Sequence, residues 1–196
     1  MGKSGELTIR PMRPEDLSSA QAVTNEAFTP VFEQMTGVRP EPLFGRHFPS
    51  RFAKEPDGCF VAETHTVVGV VLSVTWGGLG WFGPIAVARE FQGRKIAQRL
   101  LDALFDRWAA MGLAVEGLET FPQSPLHWSL YERYGFRPRF LTPQFVKKIG
   151  ADEALSSQAE RFSTLDGNGQ TPVLKECRGL GEMFLSDPDF TSPSWR

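Results

Sequence analysis

The sequence predicts an α/β (α+β) fold, in which a mixed, mostly antiparallel sheet is flanked by helices and followed by a C-terminal extension. Residues 59–87 hold three apolar, β-branched runs separated by short turns, which is typical of strands. After residue 92 the apolar period changes from two to about 3.6, which indicates a long helix. Beyond Gly150 the composition shifts towards Ser, Gly, Asp and Pro. The chain therefore divides into a domain at 1–149 and an extension at 150–196.

The composition is that of one globular domain with balanced charge. Of the 196 residues, 41% are apolar and 12% aromatic, enough to bury a sizeable core. The 21 basic and 23 acidic side chains give a net charge of −2, so charge does not favour nucleic acid or an anionic membrane as a partner. No signal peptide or membrane-spanning run is recognisable, and we expect a cytoplasmic protein.

The two cysteines predict neither a disulfide framework nor a metal site. Cys59 and Cys177 are far apart and form no CxxC pair. Cys59 precedes Phe60 and Val61, which favours a small buried hydrophobe over a nucleophile. We expect no metal.

The N-terminal half combines a short strand, helices and a hairpin. Leu7–Arg10 reads as a strand ended by Pro11, and a helix opening near Pro14 runs towards Phe28. The proline-rich, aromatic stretch 29–57 predicts a loop with a short helix. That helix is expected around 43–52, and the two hairpin strands at 59–64 and 67–76.

A third strand through 81–87 contains an irregularity. Pro84 cannot donate to a ladder and Gly83 weakens it, so we expect a bulge or a splay of the sheet there. Five later elements are predicted from periodicity and from Gly and Pro positions: a helix that ends at Gly112, a strand at 113–121, a helix at 125–134, a strand at 136–149 and a helix at about 171–184. The last residues, 186–196, are expected to be loosely ordered.

The segment from Gln92 to Ala97 joins the third strand to the long helix through small and basic residues. The first amides of a helix have no intrahelical partner and sit at the positive end of its dipole. Gly93 and Ala97 leave the backbone accessible, while Arg94 and Lys95 add charge. The segment alone fits either a diphosphate site or a simple helix start.

Two motifs at the right separation resemble the GNAT superfamily of N-acetyltransferases. Gln92, Lys95 and Ala97 fit the acyl-CoA-binding signature Q/R-x-x-G-x-G/A, except that Lys95 replaces the usual glycine. The run 130–136, LYERYGF, matches the family's L-Y-x-x-x-G-F. The resemblance covers roughly residues 7–149.

The resemblance implies a set of acetyl-CoA contacts. The backbone of the third strand would pair with the pantetheine arm, and the Ile85 amide would polarise the thioester carbonyl. Ser124 stands where many members have an asparagine that contacts the cosubstrate. The implied cofactor-binding residues are Ile85, Ala86, Val87, Gln92, Gly93, Arg94, Lys95, Ile96, Ala97 and Ser124.

The resemblance also implies the catalytic groups. Tyr131 matches the usual general acid, which protonates the departing thiolate; alone it would read as a core residue. Trp81 stands where histone-acetylating members place a glutamate. Glu119, twelve residues before Tyr131, resembles the base of N-terminal acetyltransferases that modify ribosomal proteins, although an exposed strand-end carboxylate is the alternative. Glu116 should face the opposite way, and His127 should neighbour the site.

The sequence therefore predicts an N-acetyltransferase that moves an acetyl group from acetyl-CoA to an amine of a small molecule or a peptide by direct attack, without a metal. One alternative is a non-catalytic module of the same fold that binds or senses acyl-CoA. Another is an interaction protein whose tail, 151–196, forms a homodimer or regulates the domain. Aromatic side chains such as Phe28, Phe32 and Trp81 would line an acceptor pocket or belong to the core.

Overall fold

The computed structural model describes residues 6–37, 39, 47–121, 124–139 and 164–185. The chain divides into two compact units, 1–137 and 138–196. The first unit holds a five-stranded sheet in the order β1-β2-β3-β4-β5. Its strands are β1 (Thr8–Pro11), β2 (Phe60–Glu63), β3 (Val67–Trp76), β4 (Leu79–Val87) and β5 (Val115–Leu118).

The sheet is mixed, as predicted. The pairs β1–β2, β2–β3 and β3–β4 are antiparallel, and β4–β5 is parallel. Pro11 pairs with Phe60 as the last residue of the edge strand β1, a position that proline tolerates.

Helices pack on both faces of the sheet. They are α1 (Leu17–Thr36), α2 (His47–Lys54), α3 (Ile96–Met111) and α4 (Pro125–Arg133), while α5 (Gly167–Leu185) lies in the second unit. On the α3 face, Leu100, Leu104 and Trp108 pack against Val71 and Phe82 in one core cluster. On the opposite α1/α2 face, a second cluster joins residues of both helices to β2 and β3: Ala20, Val23, Phe48, Val61, Val70 and Leu72.

Three predicted boundaries are wrong. Helix α1 does not end near Phe28 but continues to Thr36 with Pro30 inside it. Pro30 and Glu26 are both exposed, so water can satisfy the carbonyl that loses its amide partner. Strand β5 covers only 115–118 instead of 113–121, because the Leu113 amide donates to the Trp108 carbonyl at the end of α3, and no described strand pairs with 119–121.

Helix α5 begins four residues before the predicted start. Asp166 provides the cap, since its Oδ1 accepts a hydrogen bond from the Gly169 amide at 2.8 Å. Pro172 therefore lies within the helix rather than at its first turn. Helix α2 spans 47–54, so its end lies two residues beyond the predicted one at 52. The predicted start at 43–46 lies outside the described residues, as do the predicted strand residues 140–149 and the end at 186–196.

The predicted irregularity in β4 is confirmed. The pair Val71–Ile85 is followed by Ser73–Phe82, so Gly83 and Pro84 stand opposite a single residue of β3. Gly83 has φ +140°, a conformation that favours glycine. Because of this bulge, Phe82 and Ile85 both face α3 although they are three residues apart.

Candidate active site

The sheet parts between β4 and β5. The parallel pairs run from Leu79–Val115 to Phe82–Leu118 and stop there. The rest of β4, 83–87, pairs only with β3 in the described part of the chain. The splay thus begins at the residue before the bulge, where β4 turns away from the line of β5.

The open edge of β4 presents backbone groups to this gap. The Ala88 amide donates to the Val68 carbonyl at 2.9 Å, which makes that residue pair a hydrogen-bonded one. In an antiparallel ladder such pairs alternate with pairs whose amides point away from the partner strand. The amides of Ile85 and Val87 therefore point away from β3, and the amide of Ala86 points towards it.

The turn before α3 is tied to this edge by a side chain. Nε2 of Gln92 donates to the Val87 carbonyl at 3.0 Å. The bond occupies one of the outward-facing carbonyls of β4 and fixes the turn next to the gap. A glutamine suits the first position of the signature because its side-chain amide can donate to this backbone carbonyl.

The turn itself has an unusual backbone. Gly93 has φ +75°, and Lys95, which caps α3, has φ +61° and ψ 18°. The helical ladder starts with the Arg99 amide on the Lys95 carbonyl, so the amides of the first turn, 96–98, precede the first bonded amide. Gln92, Gly93, Arg94 and Lys95 are exposed. The arrangement can bind an anion with backbone amides and two nearby cations.

Arg94 has a second contact in this turn. Its guanidinium lies 5.1 Å from the centroid of the Phe91 ring. This distance suits a cation–π interaction and holds the side chain against the turn preceding α3. Ile96 is buried beneath the turn and Ala97 is partly buried.

Tyr131 on α4 is buried on the α3 face, 7% exposed. Its ring meets that of Phe82 edge-on at 5.7 Å between centroids. Burial raises the pKa of Tyr131 to about 12, an effect that a hydrogen bond with the Thr120 side chain partly opposes. The hydroxyl therefore keeps its proton at neutral pH and lies beside the residues that follow β5.

His127 lies one helical turn before Tyr131. The two rings are nearly parallel, with an interplanar angle of 12° and centroids 6.2 Å apart. Burial lowers the pKa of His127, and its buried Nδ1 has no hydrogen-bond partner among the described residues. The imidazole is thus a neutral neighbour of Tyr131.

Ser124 precedes α4 as its N-cap residue. Its side chain makes no capping hydrogen bond, and its amide donates to the Phe121 carbonyl at 3.2 Å. Ser124 therefore marks the point where the chain passes from the end of β5 to the helix of Tyr131.

Glu119 lies on the other face of the sheet from Tyr131. Thr120 reaches Tyr131 on the α3 face, whereas the rings of Phe28 and Phe32 on α1 meet Phe121 at 6.4 and 5.5 Å. Glu119, between Leu118 and Thr120, therefore shares the α1/α2 face with Phe121 and is exposed. Glu116 shares the α3 face with Leu118, and partial burial raises its pKa.

Sequence reasoning missed one polar residue on this face, Arg51 of α2. Arg51 is half-buried, and its Nη1 has no hydrogen-bond partner within the described residues. Burial lowers the pKa of its guanidinium, while the Cys59 side chain and the Glu119 carboxylate act in the opposite direction. Its position between the apolar residues Phe48 and Phe52 was the available signal, because an arginine there cannot lie wholly in solvent.

Other features of the described residues add no second centre. A groove of about 540 Å³ runs along α1 and is lined by Asn25, Glu26, Thr29, Pro30, Glu33 and Arg39, on a different face of the helix from its core residues. Within the described ranges, no group of three or more His, Cys, Asp or Glu side chains could hold a metal ion. Their helices also include none with the length and apolarity needed to cross a membrane.

Residues 55–138 match the family model of the acetyltransferase (GNAT) domain. No curated protein matches the sequence. Solved structures with the same fold include the ribosomal-protein-S18-alanine N-acetyltransferase from Escherichia coli, which is 19% identical over 67% of this chain and 78% of that one, with a TM-score of 0.53.

Two further structures are similar to the same extent. A GNAT family acetyltransferase from Brucella melitensis, solved in complex with acetyl-CoA, is 21% identical over 74% of this chain and 92% of that one, with a TM-score of 0.52. A protein from Pyrococcus horikoshii is 20% identical over 67% of this chain, which spans only 43% of that protein, with a TM-score of 0.52. At these identities the likeness shows a shared fold.

Proposed function

We propose that this chain, whose residues 55–138 match the model of the acetyltransferase (GNAT) domain, transfers an acetyl group from acetyl-CoA directly to an amine. The parting of β4 from β5 carries the proposal. At that point a strand edge that pairs with no described strand lies next to a helix start whose first amides have no partner among the described residues, and the buried Tyr131 packs on Phe82 of the same strand. One extended ligand with a diphosphate at one end suits both backbone features.

The cosubstrate would bind mainly through backbone groups. Its pantetheine amides would extend the sheet along the open edge of β4, as a ligand does when it adds a strand. Its diphosphate would meet the amides of 96–98, where the helix dipole and the charges of Arg94 and Lys95 favour an anion. The Ile85 amide, which points into the gap, would donate to the thioester carbonyl as negative charge develops on its oxygen.

The chemistry requires a base for the acceptor amine and an acid for the departing thiolate. The acceptor ammonium first loses a proton to Glu119, because only a neutral amine attacks. The C–N bond forms, the tetrahedral intermediate collapses and the C–S bond breaks, and Tyr131 protonates the departing thiolate. Glu119 passes the first proton to solvent, the attacking nitrogen loses its second proton to solvent, and Tyr131 regains one from solvent, so the reaction releases one proton overall.

The proposed acid and the proposed base lie on opposite faces of the sheet. Tyr131 approaches from the α3 face and Glu119 lies on the α1/α2 face. A thioester held in the gap between β4 and β5 would have the acid on one side and the acceptor amine with its base on the other. Binding both substrates together supplies the proximity on which direct attack depends.

Binding and turnover test the proposal separately. Calorimetry should register heat when CoA is titrated into the folded protein, and free thiol should appear when acetyl-CoA is mixed with an amine panel. Lys95→Glu should weaken CoA binding about tenfold, because a carboxylate then faces the diphosphate. Lys54→Glu, the same charge change on an exposed residue of α2, should leave binding unaltered.

The outcomes distinguish the proposal from its alternative. Absence of heat with CoA in folded protein would remove the proposal entirely. Heat without thiol release from any amine would instead support a module that binds acyl-CoA without catalysis.

A further inference from the structure

Arg51 holds a charge that the described residues do not balance directly. Its Nη1 is shielded from solvent and donates to no acceptor within the described residues, and none of the ion pairs among those residues includes it. An arginine stays charged inside a protein and has five donors to satisfy. A half-buried guanidinium without a bound acceptor is therefore unfavourable unless a ligand completes it.

Among the described carboxylates, the one whose charge acts on Arg51 is Glu119, the residue proposed as base. The two charges interact, yet no ion pair within 4.0 Å joins them in the described part of the chain. Arg51 and Glu119 thus stand apart on the same face of the sheet, one positive and one negative. A small ligand that carries both charges could lie between them.

The location connects this pair to the gap. Arg51 lies near Cys59, which directly precedes the pair Phe60–Val71, while Glu119 directly follows the pair Phe82–Leu118. These positions belong to the same region across the sheet, beside the bulge in β4. The rings of Phe28 and Phe32 packed on Phe121 provide an apolar wall next to Glu119.

We propose that the acceptor is a free α-amino acid with an apolar side chain, whose carboxylate binds Arg51 while its amino group meets Glu119. The planar guanidinium matches a carboxylate with two parallel hydrogen bonds, which a neutral or cationic amine cannot offer. This inference rests on the proposed acetyl transfer and adds its substrate class. The acetyl group passes from sulfur to the α-nitrogen, giving an N-acetyl amino acid, CoA and one proton.

Matched acceptors test the carboxylate. L-phenylalanine, L-leucine and L-methionine would each be compared with their carboxamides and decarboxylated amines, with rates expressed per neutral amine and with spermidine as a polycationic acceptor. We expect kcat/KM to be about ten- to a hundredfold higher for the amino acids, the range of a charged, paired hydrogen bond.

Variants test whether Arg51 produces this preference. Arg51→Gln should reduce the ratio of kcat/KM between amino acid and carboxamide to near one, mainly through KM for the amino acid. Arg51→Lys, which keeps the charge without the planar fork, should restore part of the ratio. Lys54→Gln on the same helix should leave the ratio as in the original protein, and CoA calorimetry confirms that each variant is folded.

The results separate this inference from the proposed function. If carboxamides, peptides or spermidine react as well as or better than the amino acids, acetyl transfer stands and the carboxylate site is overturned. If no amine reacts, thermal shift in the presence of CoA decides: stabilisation by L-phenylalanine that Arg51→Gln abolishes supports the site, and its absence rejects it. A ratio unchanged in Arg51→Gln rejects it too.

Discussion

Tyr131 has an environment that keeps the proton on its hydroxyl at neutral pH. It is buried against Phe82 and keeps its hydroxyl beside Thr120. Tyr131→Phe retains the ring and removes the proton. We therefore expect turnover to fall about 10²- to 10⁴-fold with acetyl-CoA affinity nearly unchanged, measured by steady-state rates and calorimetry.

The raised pKa of Tyr131 also predicts how the reaction rate depends on pH. Because burial raises that pKa to about 12, the acid stays protonated across the usual assay range. In the unmodified protein, deprotonation of Tyr131 should therefore not lower kcat at alkaline pH. Tyr131→Phe should show a pH–rate profile of the same shape at a lower rate. Normal turnover in the variant would assign the acid elsewhere.

Lys95 stands where the acyl-CoA-binding signature has a glycine, and its backbone adopts a conformation that favours glycine. The residue occupies the left-handed region, with φ +61°, where a side chain with a Cβ is strained. Lys95→Gly should raise the free energy of unfolding by about 0.5–1 kcal/mol in urea titrations, the strain less the added freedom of glycine in the unfolded chain. Lys95→Ala keeps the Cβ and should give no such gain; equal stabilisation by both variants would point to charge repulsion instead of strain.

The sequence could predict which residues form the turn but not which charges face each other. Gln92 and Lys95 were identifiable because a signature fixes their spacing along the chain. Arg51 was not, since its relation to Glu119 arises only when α2 and the end of β5 meet on the same face of the sheet. Local sequence patterns therefore predict the backbone groups proposed to bind CoA. The side chains proposed to bind the acceptor are brought together only by tertiary packing.

At the scale of elements, strands and the helix α3 were predicted better than helix ends. Continuous apolar runs fix β2 and β3 because both faces of each strand are buried in a core. Helix α1 passes through Pro30 because its aromatic stripe continues to Phe32, which packs on Phe121. The start of α5 was misplaced because Gly167 and Gly169 are weak helix formers, so the capping role of Asp166 was missed.

The packing of α3 on β4 depends on a glycine. A Cβ on Gly80 would lie 2.6 Å from Leu113 Cδ1 and 2.8 Å from Trp108 Cε2, closer than carbon atoms approach. Gly80→Ala should therefore lower the free energy of unfolding by about 1–3 kcal/mol, as overpacking does. The matched change Gly78→Ala places its Cβ 3.5 Å from that of Ala114, an ordinary contact, and should have a much smaller effect. Similar losses in both, by urea unfolding, would contradict the close packing.

For the whole molecule, the described core lies within the first unit. Both hydrophobic clusters draw their buried residues from 12–131, and Phe136 packs against the first of them. Every residue proposed to bind CoA or to catalyse transfer also lies within 85–131. The function proposed for the domain therefore requires no described residue of the second unit, 138–196.

Two shortened chains test this division. A chain ending after Gly150 should fold and bind CoA with a Kd within about twofold of the full protein, because the core and the α3 turn are both retained.

A chain ending after Gly135 also loses Phe136, whose ring lies 5.9 Å from that of Phe82 and 5.7 Å from that of Phe105. Removing this large, partly buried ring costs about 1.5–3 kcal/mol, a substantial part of the stability of a marginal domain. Circular dichroism and calorimetry on both would measure the outcome, and light scattering on the longer one would report the oligomeric state. A folded chain of 150 residues that gives no heat with CoA would place part of the cosubstrate site in the extension.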